Sequence, residues 1–310
     1  ADALGPAKKP EREGGRLAGV LDRLGPAERH LLEFVSVARF ALPLDVVLSV
    51  FPEADQRIAL AVHRLASYGL LEHTYRRTTP RGGFSVYFQI ESPGLRQLIY
   101  ETIPAARRKK LHRTVALVAD ETGGEFPAYF LLFNCLSAGE QALAGRHLVR
   151  YLKETRSEKR DPFVLSLYPD IVKGHILDTL SFADRVLACY ELSQDLLAGG
   201  RSSEAESLLI ECESLMDDAE SDQKLKSAPL LSSSLRLLAD WWETRGEYKR
   251  ALDLLDTVKF ELQSALSIPD QARLLNDIGW LQYRLGEYDG SMESCRLSLN
   301  TLNPNQHPLI

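Results

Sequence analysis

The chain has 310 residues, of which 45% are hydrophobic, 26% charged and 8% aromatic, and its formal net charge at pH 7 is −6. These values are typical of a soluble globular chain, and the length favours about two domains. No apolar run approaches the roughly 20 residues of a membrane-spanning helix, and the first residues lack the apolar core of a secretory signal. We therefore expect no interaction with a membrane.

Cysteine spacing bears on the cellular compartment. Cys135, Cys189, Cys212 and Cys295 lie far apart and form no Cys-x-x-Cys pair. They occur in stretches with helical apolar spacing, which predicts buried thiols rather than disulfides. The expected location is the cytoplasm.

Charge is divided unevenly along the chain. Residues 1–120 contain 18 Lys and Arg against 13 Asp and Glu, whereas residues 121–310 contain 19 against 30. This asymmetry indicates two domains with different surfaces. It also raises the question of whether the basic half contacts nucleic acid.

The first domain is predicted from a change in the spacing of apolar residues, from helical spacing to the alternation typical of strands. Residues 1–15 are polar and glycine-rich and are expected to form a disordered lead-in. Helical apolar spacing runs from Arg16 to Gly69 in segments separated by Gly25-Pro26 and Phe51-Pro52. LLEHTYR and FSVYFQI then alternate apolar and polar residues around the turn-forming TTPRGG, and two more helices follow up to Glu121. This order predicts a winged-helix domain with a small two-stranded wing over residues 16–121.

The same region resembles a known family. The segments that carry the resemblance run from Leu24 to Glu33, from Leu65 to Glu72, from Pro93 to Glu101 and from Arg107 to His112. They resemble the winged-helix segment that follows the nucleotide-binding domain in STAND-class signal-transduction ATPases. The resemblance implies the regulatory arm of a signalling switch, which commonly continues into helical repeats.

Two features depart from that family. No G-x-x-x-x-G-K-[S/T] motif occurs in the chain, so it has no phosphate-binding loop of that kind. Family members often have a nucleotide-contacting histidine just before the Pro-x-Leu-Arg run, where this chain has Ser92. The expectation is therefore a regulatory region without its P-loop domain and without a bound cofactor.

The second half contains a repeated pattern. RGEYKRALDLL from Arg245 and LGEYDGSMESC from Leu285 both place a small residue five positions after the glycine. Such a glycine lets the chain leave one helix with a positive φ, the tyrosine is expected to wedge between the two helices, and the small residue allows close packing. The pattern resembles the tetratricopeptide repeat. It predicts an α-solenoid over residues 122–302, with a tail at 303–310 and loops at 157–162 and 217–229.

Alignment on the turn glycines predicts a binding groove. Residues three, four or seven positions apart share one face of a helix, so the first helix of each repeat presents one row of side chains. The predicted partner-binding residues are Arg236, Asp240, Glu243, Arg273, Asn276, Trp280 and Tyr283. Asn276 with Trp280 and Tyr283 is typical of surfaces that hold a peptide by hydrogen bonds and an aromatic anchor. The alternative for Trp280 is packing beneath the C-terminal helix, and Trp242 is expected in the core.

The sequence supports no catalytic or metal site. The seven histidines are dispersed, and no zinc-binding, nucleophile-elbow or dinucleotide motif is present. We therefore predict that the protein is not an enzyme.

Two functions remain open. The first is a regulatory or scaffold module of a signalling protein that binds a protein or peptide through its repeats. The alternative is a DNA-binding winged-helix regulator with a ligand-sensing repeat domain, in which the third helix and the wing contact DNA. Its candidate contacts are Arg57, His63, Arg64, Arg76, Arg77 and Arg81. The sequence does not indicate an oligomeric state.

Overall fold

The computed structural model describes residues 19–51, 55–77, 84–121, 126–155 and 162–302, with only the backbone at 55–57, 76–77, 84–85 and 162–163. It is mainly α, with one small antiparallel sheet and an array of helical hairpins. Contacts divide the chain into two units, Ala1–His147 and Leu148–Ile310.

The first unit combines helices with the sheet. Its elements are α1 (Pro26–Ala38), β1 (Leu42–Pro43), α2 (Leu44–Val50), α3 (Asp55–Ser67), β2 (Glu72–Arg77), β3 (Phe84–Gln89), α4 (Pro93–Thr102), α5 (Ala105–Glu121), α6 (Ala128–Ala138) and the beginning of α7 (Gln141–Glu154). Helix α1 is central, because it packs against α3, α4 and α5 and buries both Leu31 and Phe34. Burial of such a side chain stabilises the fold by about 1.5–3 kcal/mol.

The sheet has one strand more than the sequence analysis predicts. Strands β2 and β3 form the expected antiparallel hairpin, in the register Glu72 with Gln89. The additional strand β1 pairs Leu42 with Phe88, which gives the order β1-β3-β2. A strand of two residues is too short to show alternation, and its proline is tolerated because β1 lies at the sheet edge. The predicted turn at 78–83 lies outside the described residues.

The boundary between the two units lies at a different place from the predicted domain boundary at residue 121. Phe126, Phe130 and Leu131 belong to the same apolar core as Val115 and Ala119 of α5. Helix α6 therefore lies in the first unit, and the contacts divide the chain after His147. Apolar packing across the 122–125 connection accounts for this shift.

The second unit consists of helices throughout its described residues. After the end of α7 come α8 (Pro162–Lys173), a 3-10 turn (Leu177–Thr179), α9 (Phe182–Ala198), α10 (Ser202–Asp218), α11 (Ser221–Thr244), α12 (Tyr248–Leu262), a second 3-10 turn (Gln263–Ala265), α13 (Ile268–Arg284) and α14 (Tyr288–Thr301). Helix α8 and the 3-10 turn after it precede the paired helices. The pairs α9/α10, α11/α12 and α13/α14 each pack as a hairpin, and α11 also packs against α9 and α10.

The turn glycines of the two predicted repeats, Gly246 and Gly286, are confirmed, and Gly200 has the same conformation. Gly200, Gly246 and Gly286 have φ of 73°, 79° and 81° and lie at the bends between paired helices. At each bend the glycine N–H donates to the carbonyl three residues earlier, and the next N–H donates to the carbonyl five residues before it. These two bonds form the Schellman motif, in which glycine takes the left-handed position at little cost.

Two expectations about the repeats are wrong. The tyrosines after these glycines do not wedge between the helices, since Tyr288 is 62% exposed and Tyr248 is only half-buried. The predicted loop at 217–229 is helical from Ser221 onward, and α11 contains Pro229 in its interior. Burial of Ser227 and Ala228 and an ion pair of 2.6 Å between Lys224 and Glu261 hold this first part of α11 in place.

Within the described residues, none of the helices combines the length and the hydropathy needed to cross a lipid bilayer.

Candidate functional site: the α11–α13 face

The residues predicted on α11 and α13 come together in the second unit. Helix α11 buries Leu235, Leu238 and Trp242 on one side, which directs Arg236, Asp240 and Glu243 to another side. Contacts from Arg236 and Glu243 to α13 join the two helices. We define the α11–α13 face as the seven predicted residues together with Asp277 and Arg284: Arg236, Asp240, Glu243, Arg273, Asn276, Asp277, Trp280, Tyr283 and Arg284.

An ion pair joins the middle of the two helices. The Nε atom of Arg236 lies 2.6 Å from Oδ2 of Asp277, and both side chains are about three-quarters buried. Partial burial makes such a pair stronger than one on an open surface. Arg236 is therefore engaged within the protein and helps to set the register between α11 and α13.

Glu243 organises the other end of the face. Its Oε1 atom accepts a 2.6 Å hydrogen bond from the indole N–H of Trp280 and a 3.4 Å contact from Arg284. The guanidinium of Arg284 also lies 4.4 Å from the ring centroid of Tyr248 and donates to the Tyr248 hydroxyl. These contacts fix the orientation of the Trp280 ring.

Three aromatic rings remain exposed at this end. Trp280 is 46% exposed and stacks on Tyr283, with ring centroids 5.8 Å apart and an interplanar angle of 25°. Tyr283 is 53% exposed and makes an edge contact with Tyr288. Trp280 is therefore not packed beneath the C-terminal helix. Trp242, which the sequence places in the core, is fully buried.

Asp240 lies between these two sets of contacts. It is one turn from Arg236 and one turn from Glu243 along α11, and among the described residues its carboxylate has no ion-pair or hydrogen-bond partner. The side chain keeps access to solvent, yet enough protein surrounds it that desolvation raises its pKa to about 6. The negative charges of Asp277 and Glu243 act in the same direction, and Arg236 opposes them.

The two remaining predicted residues differ in their contacts. Arg273 is exposed and pairs with Asp270 on its own helix at 3.2 Å. Asn276 is exposed, and its side chain forms no hydrogen bond within the described part of the chain. An exposed amide offers one acceptor and two donor hydrogens to a peptide backbone.

Sequence reasoning missed four participants of this site. Asp277 and Arg284 lie one position outside the row that the glycine alignment selects, and Tyr248 and Tyr288 were expected between the helices. The i, i+4 spacing from Arg273 to Asp277 and from Trp280 to Arg284 is a signal that could have found the first two.

Of the six residues proposed for DNA contact, the structure describes the side chains of two, Arg64 and His63. Arg64 of α3 pairs with Glu28 of α1 at 2.9 Å and covers its carboxylate, and this hydrogen bond lowers the pKa of Glu28. His63 is exposed. The side chains of Arg57, Arg76 and Arg77, and all of Arg81, lie outside the described residues.

An apolar cleft lies beside α3 in the first unit. It has a volume of about 470 Å³ and is bordered by α2, α3 and the sheet. Tyr75, which lines the cleft, is 67% exposed. The residues that line the cleft are Leu44, Leu48, Ile58, Ala59, Val62, His73, Tyr75, Val86 and Phe88. Such a surface favours contact with apolar protein side chains over phosphate groups.

The buried histidines have structural partners. His112 is 1% exposed, and its ring contacts Asn134 at 2.9 Å and Tyr100 at 3.1 Å. Burial lowers its pKa, so the neutral ring is favoured. His147 is 4% exposed and lies 3.2 Å from Asp120. Within the described ranges, His, Cys, Asp and Glu side chains form no group of three that could hold a metal ion.

Comparison with known proteins gives one structural match. No protein-family model matches the chain, and no curated protein sequence matches it. The matching solved structure is a Signal Transduction ATPase with Numerous Domains (STAND) protein with a tetratricopeptide repeat sensor from Pyrococcus horikoshii, with 12% identity and a TM-score of 0.40. The match covers 97% of this chain but spans about half, 47%, of that protein.

Proposed function

We propose that this chain is a non-catalytic regulatory module of a cytoplasmic signalling protein, and that it binds a protein or peptide partner on the α11–α13 face. The observation that carries the proposal is the exposed Trp280–Tyr283 stack, held in orientation by Glu243 beside the unbonded amide of Asn276. An exposed, fixed aromatic ring is a typical anchor for a bound peptide because little conformational entropy is lost when it is covered.

We further propose that the first unit is a winged-helix domain that packs against protein. Its order of one helix, a short strand, two helices and a hairpin supports this assignment, as does the sheet order β1-β3-β2. The apolar cleft beside α3 and the engagement of Arg64 by Glu28 favour protein packing over DNA contact. The STAND-like segments found in the sequence support a place in a signalling switch.

Ser92 has a structural role in this proposal. Its hydroxyl accepts a 3.1 Å hydrogen bond from the backbone N–H of Leu95 and so caps the beginning of α4. Serine is among the residues preferred at this helix position. The residue that replaces the family's histidine therefore holds a helix in place.

Replacement of Trp280 tests the proposed function. Full-length protein treated with a chemical crosslinker should capture a partner from a lysate of its source cells. The change Trp280→Ala should weaken that partner's binding by about ten-fold or more, because removal of a central aromatic anchor costs at least 1–2 kcal/mol.

Phe260→Ala is the matched control. Phe260 is 91% exposed on α12, outside the α11–α13 face, so its removal should leave capture unchanged. Equal capture by the wild type and by Trp280→Ala would contradict the assignment of the site.

A further inference from the structure

The α11–α13 face contains one acidic group without a partner. Its three arginines are all engaged within the second unit: Arg236 by Asp277, Arg273 by Asp270, and Arg284 by Glu243 and Tyr248. Among the described carboxylates of this face, Asp240 alone lacks such a contact. The charge of this face that no other side chain pairs with, and that a ligand could bind, is therefore the negative charge of Asp240.

The position of Asp240 places this charge beside the aromatic stack. Asp240 and Trp280 lie 40 positions apart, the same distance that separates the turn glycines Gly246 and Gly286, so they are equivalent positions of adjacent repeats. Contacts on both sides, Arg236 with Asp277 and Glu243 with Trp280, hold the two helices together around them. A ring face and a carboxylate at neighbouring positions offer a cation two kinds of attraction.

We propose that the α11–α13 face binds its peptide through a lysine or arginine side chain, which contacts both the Asp240 carboxylate and the exposed part of the Trp280 ring. This inference rests on the proposed function, and it names the chemistry of the partner as a basic peptide segment. Arg284 is an example of a cation that contacts aromatic rings at this site. Its guanidinium lies 4.4 Å from the Tyr248 ring centroid and 5.6 Å from that of Trp280.

Electrostatics at Asp240 agree with this assignment. Its raised pKa reflects desolvation and the nearby charges of Asp277 and Glu243. A bound cation would offset that repulsion, so the carboxylate gains more from a positive ligand than an isolated surface aspartate would. A peptide rich in Asp or Glu would increase the repulsion.

A peptide library tests the proposal without knowledge of the natural partner. Immobilised decapeptides with randomised positions are exposed to the full-length protein. We expect enrichment of Arg or Lys at one position, and a clearly weaker enrichment with Asp240→Asn. Asp253→Asn is the matched control, because it removes an exposed carboxylate on α12 whose partner is Lys249.

The best peptide is then compared with a version in which citrulline replaces its arginine. Citrulline keeps the shape and removes the charge, so the wild type should bind it about five-fold more weakly, whereas Asp240→Asn should show a smaller difference between the two peptides, because only the Trp280 ring then attracts the cation. Enriched peptides that lack a cation, or that carry Asp and Glu, would overturn this inference and leave the proposed function standing. Absence of any enriched peptide would count against both.

Discussion

At neutral pH the Asp240 carboxylate is ionised although its surroundings in the folded protein disfavour the negative charge. A raised pKa means that the folded protein binds the proton more tightly than the unfolded chain does. Stability therefore falls as pH rises from about 4, the ordinary value for Asp, through about 6, and changes no further from this group at higher pH. Residues that reduce stability in this way are often found where a ligand binds.

We predict that Asp240→Asn raises the free energy of unfolding at pH 7.5 and has little effect near pH 4. The gain should be below about 1 kcal/mol, because the carboxylate is exposed enough for solvent to screen it. Denaturant unfolding of the full-length protein at the two pH values measures the difference. Asp253→Asn controls for the loss of one negative charge, and a less stable Asp240→Asn at pH 7.5 would contradict the prediction.

The turn glycines act through the backbone alone. A Cβ atom added at Gly246 or Gly286 would meet no other atom within 4 Å, so space does not restrict these positions. Their positive φ restricts them instead, because residues other than glycine rarely adopt such a backbone angle. This purely local requirement explains why the bends could be located from the sequence.

At the scale of elements, α13 and α14 approach unusually closely. A Cβ atom on Gly279 would lie 2.8 Å from Sγ of Cys295 and 3.3 Å from the backbone oxygen of Ser291. Ser298 of α14 donates a 2.7 Å hydrogen bond to the backbone carbonyl of Ala272 of α13. Glycine and serine together allow the two helices of this repeat to pack with little space between them.

We predict that Gly279→Ala destabilises the protein. Alanine gains about 1 kcal/mol of helix propensity over glycine, but overpacking costs about 1–3 kcal/mol, so the net change should be a loss of about 1 kcal/mol. Adding Cys295→Ala removes the nearest atom and should restore part of the loss, as a double-mutant cycle can measure.

Gly290→Ala is the control for this pair of helices. The nearest atoms to an added Cβ there belong to the side-chain amide of Gln282, at 3.1 Å, which can shift more easily than backbone, so this change should be neutral or stabilising. A Gly279→Ala variant as stable as the wild type would show that the helices can separate without cost.

For the whole molecule, charge and surface character bear on the alternative of DNA binding. The net charge is −6, and phosphate binding depends on several free cations. Among the described candidates, Arg64 is paired with Glu28 and lies on the helix that borders the apolar cleft. Neither feature favours a duplex as the partner.

We predict no binding of a 30-base-pair DNA duplex at 150 mM salt in a gel-shift or anisotropy experiment. Any weak binding at 20 mM salt should be independent of sequence and should disappear as the salt concentration rises. Glu28→Gln releases Arg64 and is the variant to compare. A sequence-specific complex at 150 mM salt that Arg64→Ala abolishes would instead support the DNA-binding alternative.

Much of the architecture could be predicted from the sequence because its causes are local. Helical periodicity located α1, α3 and α5, and the alternation of apolar and polar residues located the β2–β3 hairpin. The helical repeats were predicted from the repeated glycine pattern and its resemblance to the tetratricopeptide repeat, and the row of candidate residues on α11 and α13 from alignment on the turn glycines together with helical periodicity. Pro229 lies inside α11, where packing of the flanking turns outweighs the local preference of proline against helix.

What only the tertiary structure decided depends on neighbours distant in sequence. The edge strand β1 exists because β3 supplies its partner, and α6 joins the first unit because its phenylalanines meet α5. The exposure of Trp280 and the lack of a partner for Asp240 depend on which side chains α11 and α13 bring together, and no periodicity within one helix contains that information. Backbone conformation is encoded by adjacent residues, whereas burial and pairing are properties of the assembled helices.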